Sequence, residues 1–178
     1  MARNIYKEIE KAAKGLAKAD QLLIQKDGEA VYVSEGHVIV KVPEGMYTQL
    51  FRTVSPRYTE MREDGTAEAR GKKELPQMIP GGPDLRRCIP DQEGPQVMAS
   101  PFLYELDGGQ LTRIFWGEDQ KVIAIKEEYY QLLKVFNEGR GWTGKGPKAA
   151  VCSEGFSYED IGVLILPVNV GNMMLRIS

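Results

Sequence analysis

Ile5, Ile9, Ala12 and Leu16 recur at helical spacing, so residues 3–19 are expected to form an amphipathic helix with these four side chains in one narrow arc. Gly15 lowers the intrinsic helix propensity, and Asp20 marks the expected end. Residues 22–24, 30–33 and 38–42 read as short apolar strands, separated by turn chemistry at 26–29 and 34–36. Pro43 suits a strand end or the first turn of a helix over about residues 44–53. Between residues 56 and 101 the texture changes, because Pro56, Pro76, Pro80, Pro83, Pro90, Pro95 and Pro101 punctuate a stretch dense in charge and glycine. It is expected to be a long loop or insertion, with Leu75, Met78, Ile79 and Ile89 as candidates for pinning it to a core. Strand patterns return at 102–106, 111–116 and 121–125, with a hairpin signal at Asp107, Gly108 and Gly109. A second helix is expected at 127–138, where Tyr129, Leu132, Leu133 and Phe136 share a face opposite Glu127, Gln131, Lys134 and Glu138. A glycine-rich crossing over 139–147 leads into strands at 149–152 and 162–168.

The chain repeats itself. Residues 31–50 align without a gap on residues 114–133, and Glu35/Glu118, Glu44/Glu127, Tyr47/Tyr130 and Leu50/Leu133 are identical. Val31/Ile114, Tyr32/Phe115, Ile39/Val122, Val40/Ile123 and Val42/Ile125 keep their class. Strand, turn, strand and helix thus occur twice, either as two related halves of a pseudo-twofold domain or as two amphipathic units alike only in composition.

Composition narrows the options. A chain of 178 residues can bury about 70% of its unfolded surface, enough for a core without staples. With 23 basic and 25 acidic residues the formal charge is −2, so nucleic acid or an anionic membrane would be held only by a local patch. Cys88 and Cys152 lie far apart beside a single histidine, which argues against a disulfide framework or a Cys/His zinc site and for a reducing cytoplasm. The charged N-terminus and the short apolar run at 163–168 carry no export or membrane-spanning signal.

Three segments resemble the sliding-clamp family of DNA-polymerase processivity factors. Residues 31–40 are similar to the bacterial clamp's strand, Thr-Asp-Gly-His turn and return strand. Residues 122–133 are similar to the clamp strand that leads into a helix, and residues 163–170 to its terminal strand. The resemblance covers about a quarter of the chain and departs from the family in places. Glu35 replaces the usual Asp, Val38 the usual Arg, Asn169 interrupts the terminal motif, and residues 171–178 run beyond the family's usual end. Family rings contain six domains, whereas 178 residues match one domain with an insertion. The resemblance implies an α+β fold: a pseudo-duplicated clamp-like domain with antiparallel sheets and two main amphipathic helices on one face. Residues 1–178 would then form a single domain of two halves, about 1–55 and 100–178, around the Pro- and charge-rich insertion at about 56–100.

Candidate chemistry is sparse. Lys7, Lys11, Lys14 and Lys18 form a stripe on the first helix roughly 160° from its apolar arc. Such a face reads either as a contact for duplex phosphates or as an ordinary solvated surface, lysine being a good helix former. In the clamp family, lysine-bearing helices line the inner surface and touch duplex phosphates. Arg140, Trp142, Lys145 and Lys148 are candidates for a second nucleic-acid contact on the glycine-rich crossing. The run 139–146 approaches a phosphate-binding P-loop, but Gly146 replaces the Ser/Thr metal ligand, and a helix-to-strand context is the reverse of the one required. His37 lies in a hairpin with nothing placing either cysteine beside it, the Glu118/Asp119 and Glu159/Asp160 pairs read as solvated, and Tyr129 and Tyr130 read as core. The expected function is therefore a non-enzymatic, clamp-like module of a bacterial or phage cytoplasm. It would bind double-stranded DNA or a replication protein and need no cofactor or metal, with self-assembly open. The alternative is a protein-interaction or assembly module with no nucleic-acid role, docking through sheet edges or through residues 56–101.

Overall fold

A computed structural model describes residues 4–90, 92–106, 108–118, 122–144 and 150–168. The first helix, α1 (Ile5–Leu16), starts where the Asn4 side chain accepts from the Lys7 amide, and it buries Ile9, Ala12, Ala13 and Leu16. Ile5, expected in that buried arc, is 38% exposed, so the buried stripe begins one turn later. Strands β1 (Gln21–Asp27), β2 (Ala30–Ser34) and β3 (Val38–Pro43) follow as a meander. Gly28, at φ +59°, closes the tight β1–β2 turn in the left-handed region that favours glycine.

The helix expected over 44–53 is present but not regular. It runs as α2 (Glu44–Met46), a π-helical turn (Tyr47–Phe51) and α3 (Arg52–Val54). Tyr47 and Phe51 are both buried there, and their rings pack on Tyr58 and, from Phe51, on Phe136.

Residues 56–100 are not a loop throughout, as the proline pattern implied. They contain β4 (Gly65–Arg70), paired with β1 along six residues, the two-residue β5 (Gln77–Met78) and a 3₁₀ turn (Leu85–Cys88). Leu85 and, as expected, the partly buried Ile89 pin it to the smaller cluster, whereas Leu75 and Met78 are exposed. The rest comprises β6 (Gln96–Leu106), β7 (Gln110–Gly117), β8 (Val122–Lys126) and α4 (Glu127–Leu133) with a 3₁₀ turn (Lys134–Asn137), then β9 (Trp142–Gly144), β10 (Val151–Ser153) and β11 (Gly162–Ile165). β6 is longer than its sequence pattern suggested, because a register shift between Ala99 and Leu103 accommodates Pro101. β9 occupies part of the glycine-rich crossing.

All strands join one antiparallel sheet in the order β5-β4-β1-β2-β3-β11-β10-β9-β6-β7-β8, in place of the several sheets expected. Side chains alternate across it. Leu22, Ile24, Val31, Val33, Val40 and Val42 enter the main core with the helices, while Leu23, Tyr32, Ile39, Cys152, Phe156 and Leu164 form a smaller cluster that Leu85 joins.

The two hairpin-helix units do not superpose without a gap. Val33 faces Val40 across β2–β3, but Phe115 faces Ile123 across β7–β8, so the second connection is one residue longer. Phe115 therefore packs with the helices, where the gapless alignment would have placed Ile114. The matched Glu44 and Glu127 nonetheless each open a helical segment and each meet a cation from the sheet. Lys26 Nζ lies 2.7 Å from Glu44, and Arg113 donates to both Glu127 carboxylate oxygens at 2.6 and 2.8 Å. Burial pushes the Glu127 carboxyl upward, but the bonds from Arg113 and Gln131 and the charge of Arg113 hold it below the usual range.

Two arginines fasten helix ends to the sheet connections. Arg57 is 4% exposed and donates to the carbonyls of Ala17, Ala19, Gly71 and Glu74. Arg140 donates to those of Phe136, Asn137, Glu154 and Ile161.

Candidate nucleic-acid interface

Because α1 buries the face carrying Ile9, Ala12, Ala13 and Leu16, its opposite face is solvated, and Lys7, Lys11, Lys14 and Lys18 are all exposed on it. None of the four ammonium groups makes an ion pair or hydrogen bond among the described residues. Glu8 and Glu10 flank the stripe and are half-buried. The stripe thus presents unpaired positive charge along one side of the helix layer, though the chain as a whole is slightly acidic.

Folding adds charges that sequence proximity could not reveal. Gly15 lets α4 come close: a Cβ there would lie 2.8 Å from Leu132 Cδ2. Beside that crossing, Lys11 and Lys134 share an open groove of about 420 Å³ with Glu8, Glu128 and Gln131. Past the end of α1 a larger groove, about 900 Å³, brings Lys18 together with Lys72 and Lys126, and with Asp20, Glu35, His37, Glu128 and Tyr129. Lys72 comes from the turn after β4, whereas Lys126 and Lys134 flank α4 at its two ends.

The second candidate patch does not gather in the same way. The Arg140 guanidinium is occupied with its four carbonyls. Trp142 is half-buried against Phe115 and Tyr130, with ring centroids 5.7 and 5.9 Å away. Lys145 and Lys148 lie outside the described residues.

No family model matches the chain, and no curated protein does. Among solved structures it is similar to DNA polymerase III subunit beta from Borrelia burgdorferi, solved in complex with a natural product. That match has 12% identity and a TM-score of 0.43, and covers 92% of this chain and 62% of the other. The chain therefore spans less than two thirds of that protein's length. It is also similar to a structure of the C-terminal region of FEN-1 bound to A. fulgidus PCNA, at 12% identity and a TM-score of 0.39, covering 94% and 97% of the two chains.

Elsewhere the structure places chemistry-bearing residues apart. Cys88 is exposed and Cys152 buried, and among the described residues no three His, Cys, Asp or Glu side chains are placed to share a metal ion. Tyr129, half-buried, donates its hydroxyl to Glu35 at 3.1 Å, and burial followed by the Glu35 charge pushes that phenol well above its usual range. Met98, Trp116 and Val122 are exposed side by side across β6, β7 and β8, forming an apolar row at the β8 end of the sheet. Among the described residues no helix is long and apolar enough to cross a membrane.

Proposed function

We propose that this chain is a non-enzymatic, clamp-like module of the cytoplasm that holds double-stranded DNA by its phosphates through the α1 lysine face. One observation carries the reading: four exposed, unpaired ammonium groups on the solvated side of a helix whose other side is anchored in the core. Phosphate contacts of this kind carry no sequence information. The two free cysteines suit a reducing compartment.

Four phosphate contacts give a steep salt dependence, so the affinity for duplex is expected to fall about a hundredfold between roughly 50 and 200 mM salt. Changing Lys7, Lys11, Lys14 and Lys18 together to Glu should abolish binding, measured by fluorescence anisotropy, while circular dichroism stays unchanged because none of the four is buried. Undiminished binding by that variant would remove the face from consideration. The competing reading, an assembly module without a nucleic-acid role, is favoured by the apolar row of Met98, Trp116 and Val122 beside the β8 edge. On that reading neither protein binds duplex, and both gain mass with concentration in light scattering.

A further inference from the structure

We propose that His37 sets the net charge of the groove at the end of the lysine stripe, so that binding of a nucleic-acid duplex is linked to uptake of one proton. The inference rests on the α1 lysine face being the duplex contact.

His37 is the chain's sole histidine, and it sits in the β2–β3 turn with its side chain 61% exposed. Among the described residues, charged groups from several neighbouring elements line the same groove. Lys18 and Asp20 come from the end of α1, Lys72 from the turn after β4, Glu35 from its own turn, and Lys126 and Glu128 from the junction of β8 with α4. Among the described residues three ammonium groups thus share the groove with three carboxylates, which balance while the imidazole is neutral. The pairs inside it are long, with Lys72 at 4.0 Å from Asp20 and Lys126 at 3.8 Å from Glu128, and most of these side chains are exposed. Histidine is the side-chain type whose charge change ordinarily falls in the physiological pH range. Protonation therefore turns a balanced groove into a cationic one, in the groove that Lys18, the last lysine of the stripe, also lines.

The ring is also held in place. His37 Nδ1 lies 3.5 Å from Glu35 Oε1, the same oxygen accepts the His37 amide at 2.9 Å, and Tyr129 fixes the other carboxylate oxygen. The imidazole stacks on Tyr129 with centroids 6.2 Å apart. A proton added there stays at one point of the groove that Lys18 also lines.

Anisotropy titrations with a short DNA duplex across a salt series, at about pH 6 and about pH 8, test the proposal. The slope of log K against log salt should be steeper by about 0.9 at the lower pH, the increment for one additional phosphate contact. His37→Gln should show the shallow slope at both values, and His37→Lys the steep slope at both. By reciprocal linkage, the NMR titration midpoint of the imidazole should move to higher pH when duplex is added. A pH effect that survives in His37→Gln overturns the proposal and points to another titratable group. Duplex binding by the wild type with equal slopes overturns it as well, leaving the lysine face intact. Absence of duplex binding at both pH values overturns the lysine face and this inference together.

Discussion

A buried guanidinium can be held almost entirely by main chain, and Arg57 is placed in that way. The carbonyls of Ala17 and Ala19 lie at the end of α1, where no further turn of helix supplies donors, and Gly71 and Glu74 present theirs from the turn after β4. Arg57→Ala leaves these acceptors without their donor and opens a hole beside α1, so a loss of about 2–4 kcal/mol is expected in urea denaturation. Arg57→Lys should recover only part of it, since an ammonium cannot fork to acceptors on two sides. A loss below about 0.5 kcal/mol would mean that water replaces the guanidinium without penalty. Nothing in the sequence marks Arg57 or Arg140 for this work. Arg140 reads as a loop charge open to nucleic acid, because the partners of both are backbone groups brought together only by folding.

Among elements, those with bulky alternation were legible and those built from small residues were not. β1, β2 and β3 carry Leu, Ile and Val at their buried positions, so period and composition agree. β4 buries Thr66, Ala67 and Ala69 between charged flanks, and its pairing with β1, not its own hydrophobicity, makes it a strand. The α1 lysine stripe was legible because period 3.6 fixes both faces of a helix at once. Its neighbours Lys72, Lys126 and Lys134 were not, since they join it through sheet topology. Glycine inside a strand has a similar tertiary cause. Gly162 opens β11 where the Phe156 ring lies against the backbone, and a Cβ would overlap that ring. Gly162→Ala should therefore destabilise by about 1–3 kcal/mol in chemical denaturation. The loss should shrink when Phe156→Leu is already present, and equal losses in both backgrounds would exclude the ring as the cause.

At the scale of the whole molecule, one core runs through the chain. Phe51 packs on Phe136, Leu132 lies over Gly15, and the main cluster takes residues from α1 to β4 and from β6 to β11. Far-ultraviolet and near-ultraviolet circular dichroism should accordingly follow a single coincident transition on unfolding. Two separable transitions would show instead that the hairpin-helix units on either side of residues 56–100 are stable apart. The slight negative charge of the chain keeps the lysine face from acting at long range, so its pull on a polyanion extends only about a Debye length, roughly 10 Å in moderate salt.

The seam between β3 and β11 has a consequence for biosynthesis. β11 comes last among the described strands yet inserts at the middle of the sheet, between β3 and β10. A nascent chain emerging from the ribosome can complete the meander through β3 early, but that strand keeps a bare hydrogen-bonding edge until residues 162–165 have been made. Throughout translation of the second hairpin and α4, the growing polypeptide carries an apolar edge open to mispairing. Completion of the native sheet waits until residues 162–165 have left the exit tunnel.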